Sequence, residues 1–472
     1  MDTSSLAGLI FILVFAGMIL IHELGHYIAS RLVGVEIEEF GFGLPPRAWT
    51  FWRLAGHFLT KSGKRIEIPS NFGLPFPWAE LNGQQVKFTV DRLEDKFVLR
   101  TLTVVEEIQE KRPRVDPVNK EEILVGQNGE IVHAQQATSV KTRTVEYGKT
   151  RGALELDEAI RETHPGTEFT LNWLPLGGFV RPKGENDPNV PGGLAAANPW
   201  KRLAVLLAGP AMNLIAGVIV YSLIFTQAGI PTQVKLDQVM EGAPAALAGL
   251  QHGDTILSVN GQAISTVEGL RMLIRRNLDH PLNMIVERDG QTLEITATPL
   301  SSRYKEGALG ITMDPIYTPA DTWFDTLPAS LLATYEQSYE ILSMPAQMAR
   351  GFIDPEDGRF IGLKGIFELF KMALGIDTES RASAPSEPAP APTYTTFYLI
   401  AILTISIGLF NLLPFPALDG GRIAFVLPEL IIRRRVPPQF ENAVHAAGMA
   451  LLILLMIYVN VMDFVDPLQL QP

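Results

Sequence analysis

The stretch HELGH, His22 to His26, sets two histidines four residues apart with a glutamate beside the first. On a helix, residues i and i+4 share a face. Both imidazoles can then point at one metal ion while Glu23 stands next to them as a general base. Histidine is scarce here, eight in 472 residues, and there is no cysteine. Disulfides and thiolate metal sites are excluded, so any metal must rest on His, Asp or Glu. A hydrolytic zinc site needs a third protein ligand and an open position for water. The residues after His26, YIASRLVG, hold no further histidine, and Glu36, Glu38 and Glu39 lie past the end of the apolar run. A better candidate comes far downstream. In NLLPFPALDGGR (Asn411–Arg422), Asp419 is the sole carboxylate from Tyr398 to Leu427, and two glycines follow it.

These groups sit where ionisable side chains are costly. The run LAGLIFILVFAGMIL (Leu6–Leu20) leads into HELGH, and Leu203–Phe225, Tyr398–Leu413 and Ala446–Val461 are equally apolar. With flanking residues each approaches the roughly 20 needed to cross a hydrocarbon core. Buried core helices of a soluble protein are the alternative, but so many such runs exceed what soluble domains carry. The expected fold is therefore an α-helical polytopic membrane protein of about four transmembrane helices in a lipid bilayer. An ionisable residue inside such a span is by default a functional-site candidate. The first run lacks a basic n-region and continues into HELGH, so it is not a cleavable signal. Asn213, in AGPAMNLIAG, is a second intramembrane amide; it lines a water path or, the favoured reading, bonds to a neighbouring helix, while Gly209, Ala211 and Gly217 allow close helix approach.

Charge supplies orientation and excludes one class of partner. A net charge of -12 gives no footprint for nucleic acid. Arg31 follows the first span, Lys201 and Arg202 precede the second, and Arg422 and Arg433–Arg435 lie between the third and fourth. The positive-inside rule then puts both termini and the long 230–392 segment outside and residues from about 34 to 200 in the cytoplasm.

The organisation expected along the chain is as follows. Residues 1–47 carry the first span and the start of a hairpin through GFGLPPR. Residues 48–165 form a cytosolic, mostly-β insert, with VKFTV, KFVLRTLTVV, EEILV and EIVHA as strands and LELDEAIRET as a short helix. Residues 166–229 return through the strand TEFTLNWLPLGGFVRPKG into the second span. In 230–318, GAPAALAGLQHGD gives a short helix, TILSVN a strand, Asn260-Gly261 a hairpin turn, and TVEGLRMLIRR a helix. A hairpin about Asp289-Gly290 follows, and GALGITM closes the sheet. Residues 319–379 read as amphipathic helix, 380–393 as a Pro/Ala-rich tether, and 394–472 as the last two spans.

HELGH in one span with NLLPFPALDGG in a later one resembles the site-2 protease family of intramembrane zinc metalloproteases. GFGLP, TLNWLPLGGFVRPKGEND and LLAGPAMNLIAG resemble its bacterial branch, and GAPAALAGLQHGDTILSVNG resembles a circularly permuted bacterial PDZ domain. The resemblance covers both membrane halves and the PDZ-like unit but not the insert. It implies that His22, His26 and Asp419 hold zinc, that Glu23 activates water, and that Asn411 binds substrate backbone. It implies a membrane-associated hairpin, made of the FGFG and TLNWLPLGGF segments, that pairs with an unwound substrate. IGLKGIFEL resembles the stretch before the family's third core span, with Lys364 where a small residue is common. The PDZ-like groove would take an extended peptide or chain terminus. Expected substrates are single-span membrane proteins such as anti-sigma factors or remnant signal peptides, at a bacterial inner membrane. The rivals are a non-catalytic membrane adaptor binding peptides through the PDZ-like domain, and a metal-ion transporter using the same His and Asp.

Overall fold

The computed structural model describes residues 3–71, 81–93, 96–110, 137–146, 153–301, 307–349, 361–382 and 394–466. The segments EEILV and EIVHA and most of the Pro/Ala tether lie outside these residues. The chain divides into two units, Met1–Gly34 with Pro175–Gly178 and Asn186–Pro472, and Val35–Leu174 with Phe179–Glu185.

Among the described residues, four helices of the first unit are long and apolar enough to cross a membrane: Ala7–Val33, Pro199–Ala228, Thr395–Leu412 and Pro438–Val465. They belong to α1 (Thr3–Val33), α2 (Pro199–Ala228), α7 (Thr395–Leu412) and α9 (Pro438–Val465). Two further helices, α5 (Leu327–Ala349) and α6 (Leu363–Ala382), precede α7, and the shorter α8 (Asp419–Ile432) links it to α9. The helix α2 packs on α1, α5, α7 and α8. Small residues permit this: a methyl on Gly25 would strike the Ala208 backbone of α2, and one on Gly408 of α7 would lie 2.9 Å from the Pro210 carbonyl. Without a hydrophobic driving force in lipid, such close backbone approach is what holds helices together. At the N-terminus of α2 the buried Arg202 donates to Glu429 of α8 at 2.7 Å, so a costly charge is paired.

The first unit also carries a β-rich domain. Its strands are β9 (Ile230–Val239), β10 (Thr255–Val259), β11 (Gln262–Ala263), β12 (Leu282–Arg288), β13 (Gln291–Ala297) and β14 (Ile311–Thr318). The sheet order is β13-β12-β10-β9-β14, with β11 on β10. The short α3 (Pro244–Leu247) and the helix α4 (Val267–Arg276) complete it, and Leu270 and Ile274 of α4 join Val234, Ile256, Met284 and Val286 in the core. Both two-residue turns hold positive φ at both positions, Asn260 and Gly261 at 47° and 78°, Asp289 and Gly290 at 50° and 77°. That is the primed geometry which matches strand twist. Asp254, fully buried, is satisfied by two hydrogen bonds from Arg288 and one from the Gln251 amide.

The second unit pairs β1 (Ile37–Arg53) with β8 (Glu168–Pro182) and forms a separate six-stranded sheet. The latter comprises β2 (His57–Thr60), β3 (Arg65–Glu67), β4 (Gln85–Leu93), β5 (Lys96–Glu110), β6 (Ala137–Glu146) and β7 (Ala153–His164), in the order β3-β2-β7-β4-β5-β6. A parallel β3–β5 pairing closes five of the strands into a ring around Phe58, Ile66, Phe88, Leu99 and Ile160. One expectation is corrected here. LELDEAIRET is not helical but runs within β7, laddered to β4 from Gln85↔Ala159 to Asp91↔Ala153 and to β2 from His57↔His164. Glu, Ala and Arg favour a helix locally, but two neighbouring ladders outweigh that preference.

Candidate metal centre

His22 and His26 lie on successive turns of α1, and Asp419 is the first residue of α8. Between α7 and α8 the chain turns through Pro414 and Pro416, which cannot continue the helical hydrogen-bond ladder. The turn folds back tightly enough that methyls on Gly420 and Gly421 would collide with the carbonyls of Leu412, Leu413 and Phe415. Glycine is therefore required after Asp419 for packing alone.

The three side chains converge. His22 Nε2 lies 3.0 Å from Asp419 Oδ2 and 3.2 Å from His26 Nε2, and His26 Nε2 lies 3.2 Å from the same oxygen. A tetrahedral metal with bonds of about 2.0–2.1 Å has ligand–ligand edges of about 3.3 Å. The triangle therefore has the size of one face of such a site. All three groups are largely withdrawn from solvent, with side-chain exposures of 8, 11 and 16 %. Two imidazole nitrogens and a carboxylate oxygen form a donor set suited to zinc.

The second ring nitrogens show which lone pairs are offered. His26 Nδ1 lies 2.9 Å from the Val205 carbonyl oxygen, so Nδ1 carries the proton and Nε2 keeps its lone pair. His22 Nδ1 faces Asn213, whose amide nitrogen lies 3.5 Å away while its Oδ1 is buried without a partner. Amide orientation is assigned from hydrogen bonding. With the oxygen in the place of the nitrogen, Asn213 Oδ1 faces His22 Nδ1–H as an acceptor, and His22 Nε2 keeps its lone pair as His26 Nε2 does. Gly209, one turn before Asn213, lies against both rings: a methyl there would be 2.8 Å from His22 Nε2 and 2.7 Å from His26 Cε1.

The sequence-predicted residues are thus brought together unequally. His22, His26 and Asp419 meet, and Glu23 stands half-buried beside His22. Asn411, on the last turn of α7, donates its amide to the Ile407 carbonyl at 3.0 Å, a bond within its own helix. Sequence reasoning weighed Asn213 only as a water-path or helix-bonding amide and Gly209 only as a packing residue. The available signal was their shared face, four residues apart on an apolar helix. Val205 acts through its backbone and offered no signal.

His22, His26 and Asp419 are drawn together from α1 and α8 and could hold one metal ion, in a chain with helices long enough to cross a membrane. The comparisons agree. The chain belongs to peptidase family M50, whose profile matches residues 10–60 and 132–455. Among similar proteins, the zinc metalloprotease RasP of Oceanobacillus iheyensis is 25 % identical over 477 residues, covering 95 % of this chain and 96 % of that protein. RasP of Geobacillus kaustophilus is 26 % identical over 465 residues, with 95 % and 96 % covered. The metalloprotease MmpA of Caulobacter vibrioides is 29 % identical over 328 residues, covering 62 % of this chain and 81 % of that one. The protein is a zinc-dependent metalloendopeptidase of the membrane. The part the family profile skips, 61–131, falls inside the expected 48–165 insert.

Proposed function

We propose that the protein is an intramembrane endopeptidase that cuts transmembrane segments of single-span membrane proteins, with His22, His26 and Asp419 as zinc ligands and Glu23 as the general base. The observation that carries this reading is the closure of the His–His–Asp triangle, with edges of 3.0–3.2 Å, between helices long enough to span a bilayer. Zinc, when bound, lowers the pKa of a coordinated water toward about 7 and polarises a peptide carbonyl. Glu23 takes the proton of the attacking water and passes it to the leaving amine. Val205 and Asn213 hold the two imidazoles in the tautomer that offers Nε2. A helical peptide bond is shielded by its own hydrogen bonds, so the substrate must be extended near the site. Asn411 is the candidate for holding that backbone: one N–H of its amide donates to the Ile407 carbonyl, which leaves the second N–H and Oδ1 for a substrate.

The 230–318 domain supports a docking role. Its strand order and the GALG segment before β14 agree with a permuted PDZ-like domain, and β14 pairs with β9 alone among the described residues. The outer edge of β14 beside α4 suits an extended peptide or chain terminus. Membrane-anchored regulators such as anti-sigma factors, or remnant signal peptides, are the proposed substrates. The proposed setting is a bacterial inner membrane with both termini and this domain outside and the insert in the cytoplasm.

The test is cleavage of a tagged single-span protein by wild type and Glu23→Gln in detergent, with zinc measured in both. Cleavage by the wild type alone, at equal zinc content, supports the assignment. If both hold zinc and neither cuts any of several transmembrane substrates, the reading fails and a non-catalytic adaptor role replaces it.

A further inference from the structure

We propose that His445, on α9, is a positioning residue that holds the turn presenting Asp419 to the two histidines; this rests on reading Asp419 as a zinc ligand. The starting observation is a complete accounting of the backbone amides in the α7–α8 turn. Leu413 N–H donates to the Phe410 carbonyl, Phe415 N–H to Leu413, and Leu418 N–H to Phe415, at 3.1, 2.6 and 3.2 Å. Pro414 and Pro416 have no N–H to place. The remaining amide, that of Ala417, donates to a side chain instead, His445 Nδ1, at 2.9 Å.

Ala417 also carries the strain in this turn. Its φ is 79°, in the left-handed region that a residue with a Cβ rarely occupies. Strained backbone at a site persists when the surroundings over-determine it. Here the surroundings are α9. Gly448, one turn beyond His445, lets that helix reach the loop: a methyl there would lie 2.7 Å from the Pro416 carbonyl oxygen. The His445 ring also packs against Phe425 of α8, with centroids 5.4 Å apart. One side chain therefore ties the strained residue and the helix that begins with Asp419 to the same neighbour. Asp419 follows Ala417 by two residues, so a relaxation of φ at Ala417 swings the carboxylate away from the histidines.

The geometry specifies the test atom by atom. In Asn, Oδ1 is two bonds from Cβ, as Nδ1 is in His. In Gln, Oε1 is three bonds away, like Nε2. His445→Asn keeps the acceptor for Ala417 N–H and His445→Gln misplaces it. Both variants are purified in detergent and checked for folding by thermal melting. Affinity for zinc is measured by chelator competition, the visible absorption of the cobalt(II)-substituted protein is recorded, and kcat and KM are determined on a tagged single-span substrate. His445→Gln is expected to lose about 10–100-fold in metal affinity, alter the cobalt spectrum and lower kcat at unchanged KM. His445→Asn should retain wild-type values. Equal behaviour of the two variants overturns the proposal. If both are intact, the turn does not depend on this bond; if both fail alike, ring packing and not the acceptor is what counts. Should His445→Gln not fold, His445→Asn carries the test alone, with wild-type affinity and spectrum supporting the proposal and their loss overturning it. Asp419→Ala is measured alongside; full zinc affinity in that variant sinks the metal-site reading itself, separately from any result at His445.

Discussion

Gly209→Ala perturbs the proposed metal centre while leaving His22, His26 and Asp419 themselves unchanged. The added methyl carbon would sit 2.8 Å from His22 Nε2 and 2.7 Å from His26 Cε1. Ordinary contact between such atoms is about 3.5 Å, so the His22 ring must withdraw by about 0.7 Å and the His26 ring, whose Nε2 lies nearer still, by more, unless α1 and α2 separate instead. Metal sites hold their ligand distances to about 0.2 Å. The displacement therefore exceeds what the site can absorb. Overpacking of this kind costs about 1–3 kcal/mol, and zinc affinity is expected to fall at least as far as after loss of an outer partner, about 10–100-fold. The assay is zinc per protein after dialysis against a graded chelator, with substrate cleavage measured in parallel. Gly217→Ala serves as the control. Its methyl would lie 2.5 Å from Cγ1 and 2.9 Å from Cδ1 of Ile405 on α7, so it overpacks the α2–α7 contact, two turns along α2 from Gly209. That variant is expected to lose some stability and keep its zinc. Wild-type zinc affinity in Gly209→Ala would mean that the α1–α2 contact does not define the site and would refute the reasoning.

Asn213→Leu should remove the acceptor for His22 Nδ1–H and lower zinc affinity about 10–100-fold, while Asn213→Asp, which keeps an oxygen there, should retain more of it; chelator competition ranks the two. Asp254→Ala deprives Arg288 of its carboxylate, leaving it the Gly249 carbonyl, and strips the acceptor from the Gln251 backbone amide; it is expected to cost about 1–3 kcal/mol of the 230–318 domain's stability, read by hydrogen exchange on β10 and β12. The stability of the second unit should depend on pH through His57. Burial, then the neighbouring His164 and Arg65, push its pKa down from 6.5 to about 4. Between those values the unfolded chain binds a proton that the folded unit does not, so stability falls as pH drops from 6.5 toward 4. His57→Phe should flatten that slope in hydrogen-exchange measurements on β2 and β7, and an unchanged slope would remove His57 as its source.

The same molecule explains which features the sequence could disclose. The four apolar runs, the i,i+4 histidines and the Asn-Gly and Asp-Gly turns are local patterns, and local patterns are written in consecutive residues. Asp419 was legible for a different reason: a lone carboxylate in a long apolar stretch is conspicuous even when its partners are distant. LELDEAIRET misled because its composition is that of a helix, while its conformation is set by β2 and β4, which lie far away in sequence. Asn411 was picked out by a pattern of sequence, and the structure adds one bond from its amide to the Ile407 carbonyl of its own helix.

What consecutive residues cannot carry is the support of the site. Gly209, Asn213, Val205 and His445 each act on a ligand or its turn from a different helix, and none has a chemistry that announces the role. A glycine reads as packing, an asparagine as helix glue, and a valine carbonyl as nothing at all. Their meaning comes from α2 lying against α1 and from α9 reaching the α7–α8 turn at Gly448. Once those contacts exist, the metal centre has a physical account of its geometry. His26 is fixed by a backbone carbonyl, His22 faces an amide, and Asp419 follows a strained alanine whose one amide is held by a histidine. Asn213 faces His22 and His445 holds the turn before Asp419, so the two supports share no direct partner, and additive losses at Asn213 and His445 are the outcome expected if the supports act separately. A double variant, Asn213→Leu with His445→Gln, measured by the same chelator competition, checks this. A combined loss much smaller than the product of the two would show that the turn and the first helix move as one body, and the separate supports described here would have to be merged.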